Sequence, residues 1–145
     1  MKNSHFLLFL LLLANSCSNP KHPDEYEKIE VFYQQFKKGN LEQYNKIIVI
    51  NEEGTCLNCN NIFARNQAEK INKTTNLFIV SGRGTRVDIS AYISKNAPNL
   101  ILDHTNEFSR LNLVKGCAII ELENKKIKTI TPIDAQNIQK LKLQN

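Results

Sequence analysis

Cys56-Leu57-Asn58-Cys59 brings two thiols within one helical turn of each other. A thiol reacts as its thiolate; a free one titrates near ~8.5, and a helix N-terminus lowers that by one to several units. The cause is the unpaired backbone N–H groups and helix dipole, which stabilise the anion. If a helix begins at about Cys56, that sulfur is the attacking thiol. Cys59, one turn later, can close a disulfide with it and release a mixed-disulfide partner. Three readings of the pair stand side by side: a redox couple, an inert structural disulfide, or half of a thiolate metal site. Haem attachment requires His after the second Cys, and Asn60 stands there.

The flanking residues say what must hold the pair. Lys46-Ile47-Ile48-Val49-Ile50-Asn51 carries four successive aliphatic residues, as a central strand covered on both faces does. Residues 60–73 follow as an amphipathic helix, with Ile62, Phe63, Ala68 and Ile71 as its apolar face. The cysteines thus sit where a strand hands over to a helix. Upstream, residues 25–38 place Ile29, Phe32, Tyr33 and Phe36 at helical spacing, and Gly39-Asn40 is a fitting stop. Downstream, residues 76–81 are a second buried strand. Gly82-Arg83-Gly84-Thr85 is a turn and lacks the Lys-Ser/Thr or third Gly of a phosphate loop. Asp88 is a candidate N-cap for a short helix with Ile89, Tyr92 and Ile93. A third strand (99–103), a helical turn with Phe108 and Leu111, a fourth strand (118–122), a turn at 123–126, a fifth strand (127–130) and a helix (134–143) complete the chain. Strands alternating with helices predict an α/β fold with parallel strand pairs, helices on both faces of a mixed sheet, and a C-terminal antiparallel hairpin plus helix.

The chain has 145 residues, enough for one small domain. Its start reads differently from the rest. Met1 to His5 is a short basic region, Phe6 to Leu13 is unbroken Phe and Leu, and Ala14-Asn15-Ser16-Cys17 follows. The apolar run is shorter than the ~20 residues of a membrane-spanning helix, so a signal peptide is expected. A Cys at that place resembles a bacterial lipoprotein signal, which implies that Cys17 becomes the lipidated first mature residue. The expected organisation is a signal peptide at 1–16, a tether at 17–24 bearing Pro20 and Pro23, and a domain at 25–145 with its core at 46–143. The protein would then be held by its lipid anchor on the periplasmic or extracytoplasmic side of a membrane. Such a compartment favours disulfides. Loss of Lys2 with the signal takes the net charge from +5 to +4. The excess is dispersed over Lys37-Lys38, Arg83, Arg86 and Lys125-Lys126-Lys128 with no interleaved aromatics, so nucleic acid is not an expected partner.

Residues 46–143 resemble the thioredoxin fold. They are most similar to its membrane-tethered thiol–disulfide oxidoreductases and peroxiredoxin-like branch. The matching pieces are Ile47 to Ile50 leading to Cys56-Leu57-Asn58-Cys59, then Leu100 to Asp103 with Glu107, Phe108 and Leu111, then 113–122, the turn at Asn124 and the last strand and helix. The resemblance implies an oxidoreductase with Cys56 as nucleophile, Cys59 as resolving thiol, protein thiols or disulfides as substrate, and no cofactor. Three features depart from the family. Thr55 stands where Trp is usual, the helix lacks the expected acidic residue and Pro, and Cys117 takes the place of the cis-proline. A cis bond before a non-Pro residue costs ~3 kcal/mol, so Gly116–Cys117 is expected to be trans. At that place Cys117 would lie near Cys56. There it could trap alternative disulfides, or complete a three-thiolate metal site with His104 as a fourth ligand. The plainer alternatives are that Cys117 is a small buried apolar residue and His104 a surface loop residue.

Overall fold

The computed structural model describes residues 24–142 except 55 and 74. The signal segment, Cys17, the tether up to residue 23, Thr55 and residues 143–145 lie outside it. The elements are α1 (Glu25–Phe36), β1 (Lys46–Asn51), α2 (Leu57–Ala68), β2 (Leu77–Ser81), α3 (Ser90–Ile93), β3 (Leu100–Asp103), α4 (Glu107–Arg110), β4 (Ala118–Glu123), β5 (Lys126–Pro132) and α5 (Ala135–Lys142). Short 3-10 turns at Leu41–Gln43 and Ile71–Lys73 precede β1 and β2.

The strands form one sheet in the order β3-β2-β1-β4-β5, with the aliphatic strand β1 in the middle. β1 pairs in parallel with β2, Val49 opposite Ile79, and β2 in parallel with β3. β4 runs antiparallel to β1, and β5 antiparallel to β4. Successive β1 side chains point to opposite faces, as the strand period requires. Ile48 and Ile50 join a core with Phe63 of α2, Tyr92 of α3 and Ile138 of α5. Ile47 and Val49 join the other core with Ile29, Phe32 and Tyr33 of α1 and Phe108 of α4. A strand buried on both faces needs the unbroken aliphatic run that the sequence carries. The result is the expected α/β architecture, a mixed sheet between two helical layers, consistent with a thioredoxin-like fold. Among the described residues no helix is long and apolar enough to cross a membrane.

Several boundaries differ from the sequence-based expectation. α1 ends at Phe36 rather than 38, and Phe36, expected on the apolar face, is exposed, its ring tilted against Phe32 with centroids 4.9 Å apart. Tyr26 takes the buried place one turn before Ile29. Asp24, the last residue of the expected tether, is the N-cap of α1, its Oδ1 accepting the Glu27 N–H at 2.8 Å. Asp88 sits one residue before the cap position of α3, and its Oδ1 accepts the Ser90 N–H and hydroxyl at 3.0 and 2.6 Å. The β4–β5 turn places Asn124 and Lys125 both at positive φ, 52° and 57°, as a two-residue hairpin with the right twist demands.

Candidate functional site

The Cys-x-x-Cys stretch lies at the carboxyl end of the middle strand, the usual location of sites in open α/β sheets. After Asn51 the chain turns sharply. The Asn51 Oδ1 accepts the Glu53 N–H at 3.0 Å, and Gly54 adopts φ +115°. Cys56 occupies the N-cap of α2 with non-helical angles, φ −96° and ψ 78°. Its carbonyl accepts the Asn60 N–H at 3.0 Å, the first bond of the helix. The Cys56 side chain makes no cap hydrogen bond and, among the described residues, no acidic residue stands in the first turn. The positive end of the dipole is therefore left to the sulfurs.

Cys56 and Cys59 are joined by a disulfide with a Cα–Cα distance of 5.2 Å, within the ordinary range for such bonds. Their exposures differ. Cys56 is half-buried, whereas Cys59 is 5% exposed and faces the core. An incoming thiol or disulfide therefore meets Cys56. Leu57 beside it is 40% exposed.

Cys117 is fully buried in the same core cluster, at the start of β4. Its thiol points at the carbonyl oxygens of Asn51 and Asn60, 3.7 and 4.0 Å away. Burial pushes the thiol up to about 12, against a smaller lowering by the Asn51 backbone contact. The Cys117 thiol thus stays protonated near neutral pH. None of the described peptide bonds is cis, so Gly116–Cys117 is trans. Gly116 has φ +86° instead. A Cβ on Gly116 would stand 2.8 Å from the Glu53 carbonyl oxygen, and one on Gly54 2.9 Å from the Gly116 Cα. Two glycines thus let the cysteine loop and the loop before β4 touch.

The three-thiolate metal site with His104 is not assembled. Among the described residues no group of three or more His, Cys, Asp or Glu gathers to hold a metal. The Cys56 and Cys59 sulfurs are bonded to each other, and the Cys117 thiol faces two carbonyls. His104 is exposed just past β3, and β2 separates that strand from β1.

Three polar side chains hold the surrounding loops, and none was assigned a role from sequence. Asn60, 1% exposed, donates from Nδ2 to the Glu53 carbonyl at 3.3 Å and accepts the Cys117 N–H at Oδ1, also 3.3 Å. Glu52 takes the N–H groups of Arg83 and Arg86 (3.0 and 3.2 Å) and the Thr85 hydroxyl (3.3 Å). Burial raises the Glu52 carboxyl, but backbone N–H groups of Arg83, Arg86, Thr85 and Gly84 outweigh it and hold the group below its ordinary range. The Gly-Arg-Gly turn is therefore an anion cradle whose occupant is the chain's own carboxylate. Asp103, fully buried, accepts the Glu107 and Phe108 N–H groups at 3.1 and 2.8 Å and the Ser81 hydroxyl at 2.9 Å, tying α4 to the strand ends. Gly54, Gly82 and Gly116 were the available signals, since each marks a close approach.

A cavity of about 400 Å³ opens at this end, lined by Glu53, Asn106, Ser109, Arg110 and Asn112. Another of about 500 Å³, beside Tyr26, Glu42, Tyr44 and the β4–β5 turn, lies at the opposite end of β1, away from the disulfide. No family model matches the chain, and neither a curated protein nor a solved structure does.

Proposed function

We propose that the protein is a thiol–disulfide oxidoreductase held at the extracytoplasmic face of a membrane through a lipid on Cys17. The observation that carries this reading is the disulfide at the uncapped N-terminus of α2, with Cys56 accessible and Cys59 buried behind it.

The chemistry follows from that asymmetry. In the reduced protein the Cys56 thiolate attacks one sulfur of a partner disulfide, an S–S bond forms to Cys56, and the partner's other sulfur leaves as a thiolate. The Cys59 thiolate then attacks the Cys56 sulfur and displaces the partner's second thiolate. Two electrons pass from the Cys56–Cys59 dithiol to the partner, and the two protons lost by the cysteines end on the partner's thiols. Run backwards, the same steps oxidise a partner dithiol. The electrons reside in the sulfur pair, so no cofactor is required. The anchor rests on residues 1–17, outside the described structure.

Trapping tests the reading. Reduced full-length Cys59→Ser protein, treated with oxidised glutathione, is expected to accumulate one glutathione on Cys56, visible by mass spectrometry. Cys56→Ser protein is expected to acquire none. Absence of the Cys56 adduct would leave the disulfide as a static staple and end the oxidoreductase reading.

A further inference from the structure

The Asn60 side chain is enclosed. An amide buried without partners costs about 1–3 kcal/mol, so both its ends are expected to be engaged. Its donors and acceptors go to two different loops. Nδ2 reaches the Glu53 carbonyl before the cysteine pair, and Oδ1 receives the Cys117 N–H from the loop before β4. The amide nitrogen also lies beneath the touching glycines, 3.4 Å and 3.3 Å from where a Cβ on Gly54 or Gly116 would stand. Its own backbone completes the set. The Asn60 N–H donates to the Cys56 carbonyl, and its carbonyl faces the Cys117 thiol.

We infer that Asn60 is a positioning residue for the Cys56–Cys59 pair, an inference that rests on the thiol–disulfide exchange reading. It pins both loops that frame the disulfide, so that Cys56 stays presented at the helix N-terminus. By taking the Cys117 N–H and facing its thiol, it keeps the third sulfur out of the exchange. Neither Asn58 nor Asn61 can substitute. Asn58 is exposed, and the Asn61 side chain is engaged on the other loop, accepting the Asp88 N–H at 2.9 Å.

The test uses full-length protein with two substitutions at this position and a remote control, Asn137→Ala. Folding is checked by circular dichroism. The rate at which dithiothreitol reduces the native disulfide is measured, together with labelling of Cys117 by iodoacetamide under native conditions. Asn60→Ala loses both side-chain hydrogen bonds and is expected to slow exchange on the order of tenfold and to open Cys117 to labelling. Asn60→Asp keeps an acceptor for the Cys117 N–H but loses the donor to Glu53 and adds a negative charge beside the thiolates. It is expected to slow exchange while Cys117 stays protected, and it decides the matter if the Ala variant does not fold. Asn137→Ala is expected to match the parent. Folded Asn60 variants exchanging within about twofold of the parent overturn the inference. A parent disulfide that dithiothreitol does not reduce in the native state overturns the oxidoreductase reading instead. Asn60 is then judged on Cys117 alone, where labelling in Asn60→Ala supports the pinning role and continued protection overturns it.

Discussion

Burial at Cys117 and backbone N–H groups at Glu52 make these two residues opposite cases of one linkage. Burial pushes the Cys117 thiol from its reference value of 9.0 up to about 12. Between those values the unfolded chain releases a proton that the folded chain keeps, so stability falls as pH rises through this window, by on the order of 1.4 kcal/mol per pH unit. Tyr44, also raised to about 12 by burial and its neighbour Tyr33, adds to the same loss at its upper end. Urea midpoints measured from pH 8 to 11 are expected to decline, and Cys117→Ala is expected to flatten the decline. An equal slope in both proteins would contradict the burial account. Glu52 has the reverse sign. Its folded pKa is lowered, so its contribution is present above the ordinary carboxylate value of 4.5 and is lost as pH falls through the lowered one. Glu52→Gln is expected to cost about 1–3 kcal/mol at pH 7 and less near pH 3, read from denaturation curves at the two values. At this scale the Cys56–Cys59 pairing could be read from sequence because two intervening residues let the sulfurs meet. Asn60 and Glu52 could not. Their partners lie 57 and 31 residues away, and an isolated Asn or Glu carries no sign of them.

The aliphatic run of β1 and the alternation of strands and helices placed the elements well, because burial on one or both faces writes itself into side-chain type. Ends were harder. Apolar periodicity starts α2 at 60, whereas the helix begins at Leu57. Its first two residues, Leu57 and Asn58, are exposed and carry no core-facing signal. Ile71, read as the last apolar residue of that helix, is buried from a separate 3-10 turn. The contact between the cysteine loop and the loop before β4 depends on backbone that only glycine supplies. Gly116→Ala would carry a Cβ 2.8 Å from a backbone oxygen at φ +86°. The expected cost is about 2–4 kcal/mol, combining left-handed strain of about 1–2 kcal/mol with the displacement of a packed loop. Its measurement is the shift of the urea midpoint. A loss below about 0.5 kcal/mol, the size of an ordinary surface change, would mean that the loops part easily and do not frame the site.

Residues 24–142 form a sheet between two helical layers with the Cys56–Cys59 disulfide at the carboxyl end of its middle strand, and on the proposed reading the residues before 24 set where that disulfide works. A lipid on Cys17 and a short Pro-bearing spacer would keep the disulfide close to a membrane surface. In a bacterial host, wild-type protein is expected to partition into detergent phase and Cys17→Ser into the aqueous phase, measured by Triton X-114 separation and immunoblotting. Equal partition of the two would remove the anchor. The mixed sheet, with its parallel pairs and terminal antiparallel hairpin, was foreseen from alternation, whereas the strand order β3-β2-β1-β4-β5 was not. A thiolate metal site stood only as an alternative reading of the sequence, and among the described residues a disulfide and two carbonyls claim the three sulfurs. The measurement that bears most directly on the central claim is alkylation trapping of full-length protein across a series of reduced-to-oxidised glutathione ratios. Cys56 and Cys59 are expected to titrate together as one two-electron couple, shifting tenfold in ratio for each ~30 mV of potential, with Cys117 reduced throughout. A pair that stays oxidised across the whole series, or a titration unchanged by Cys56→Ser, would contradict it.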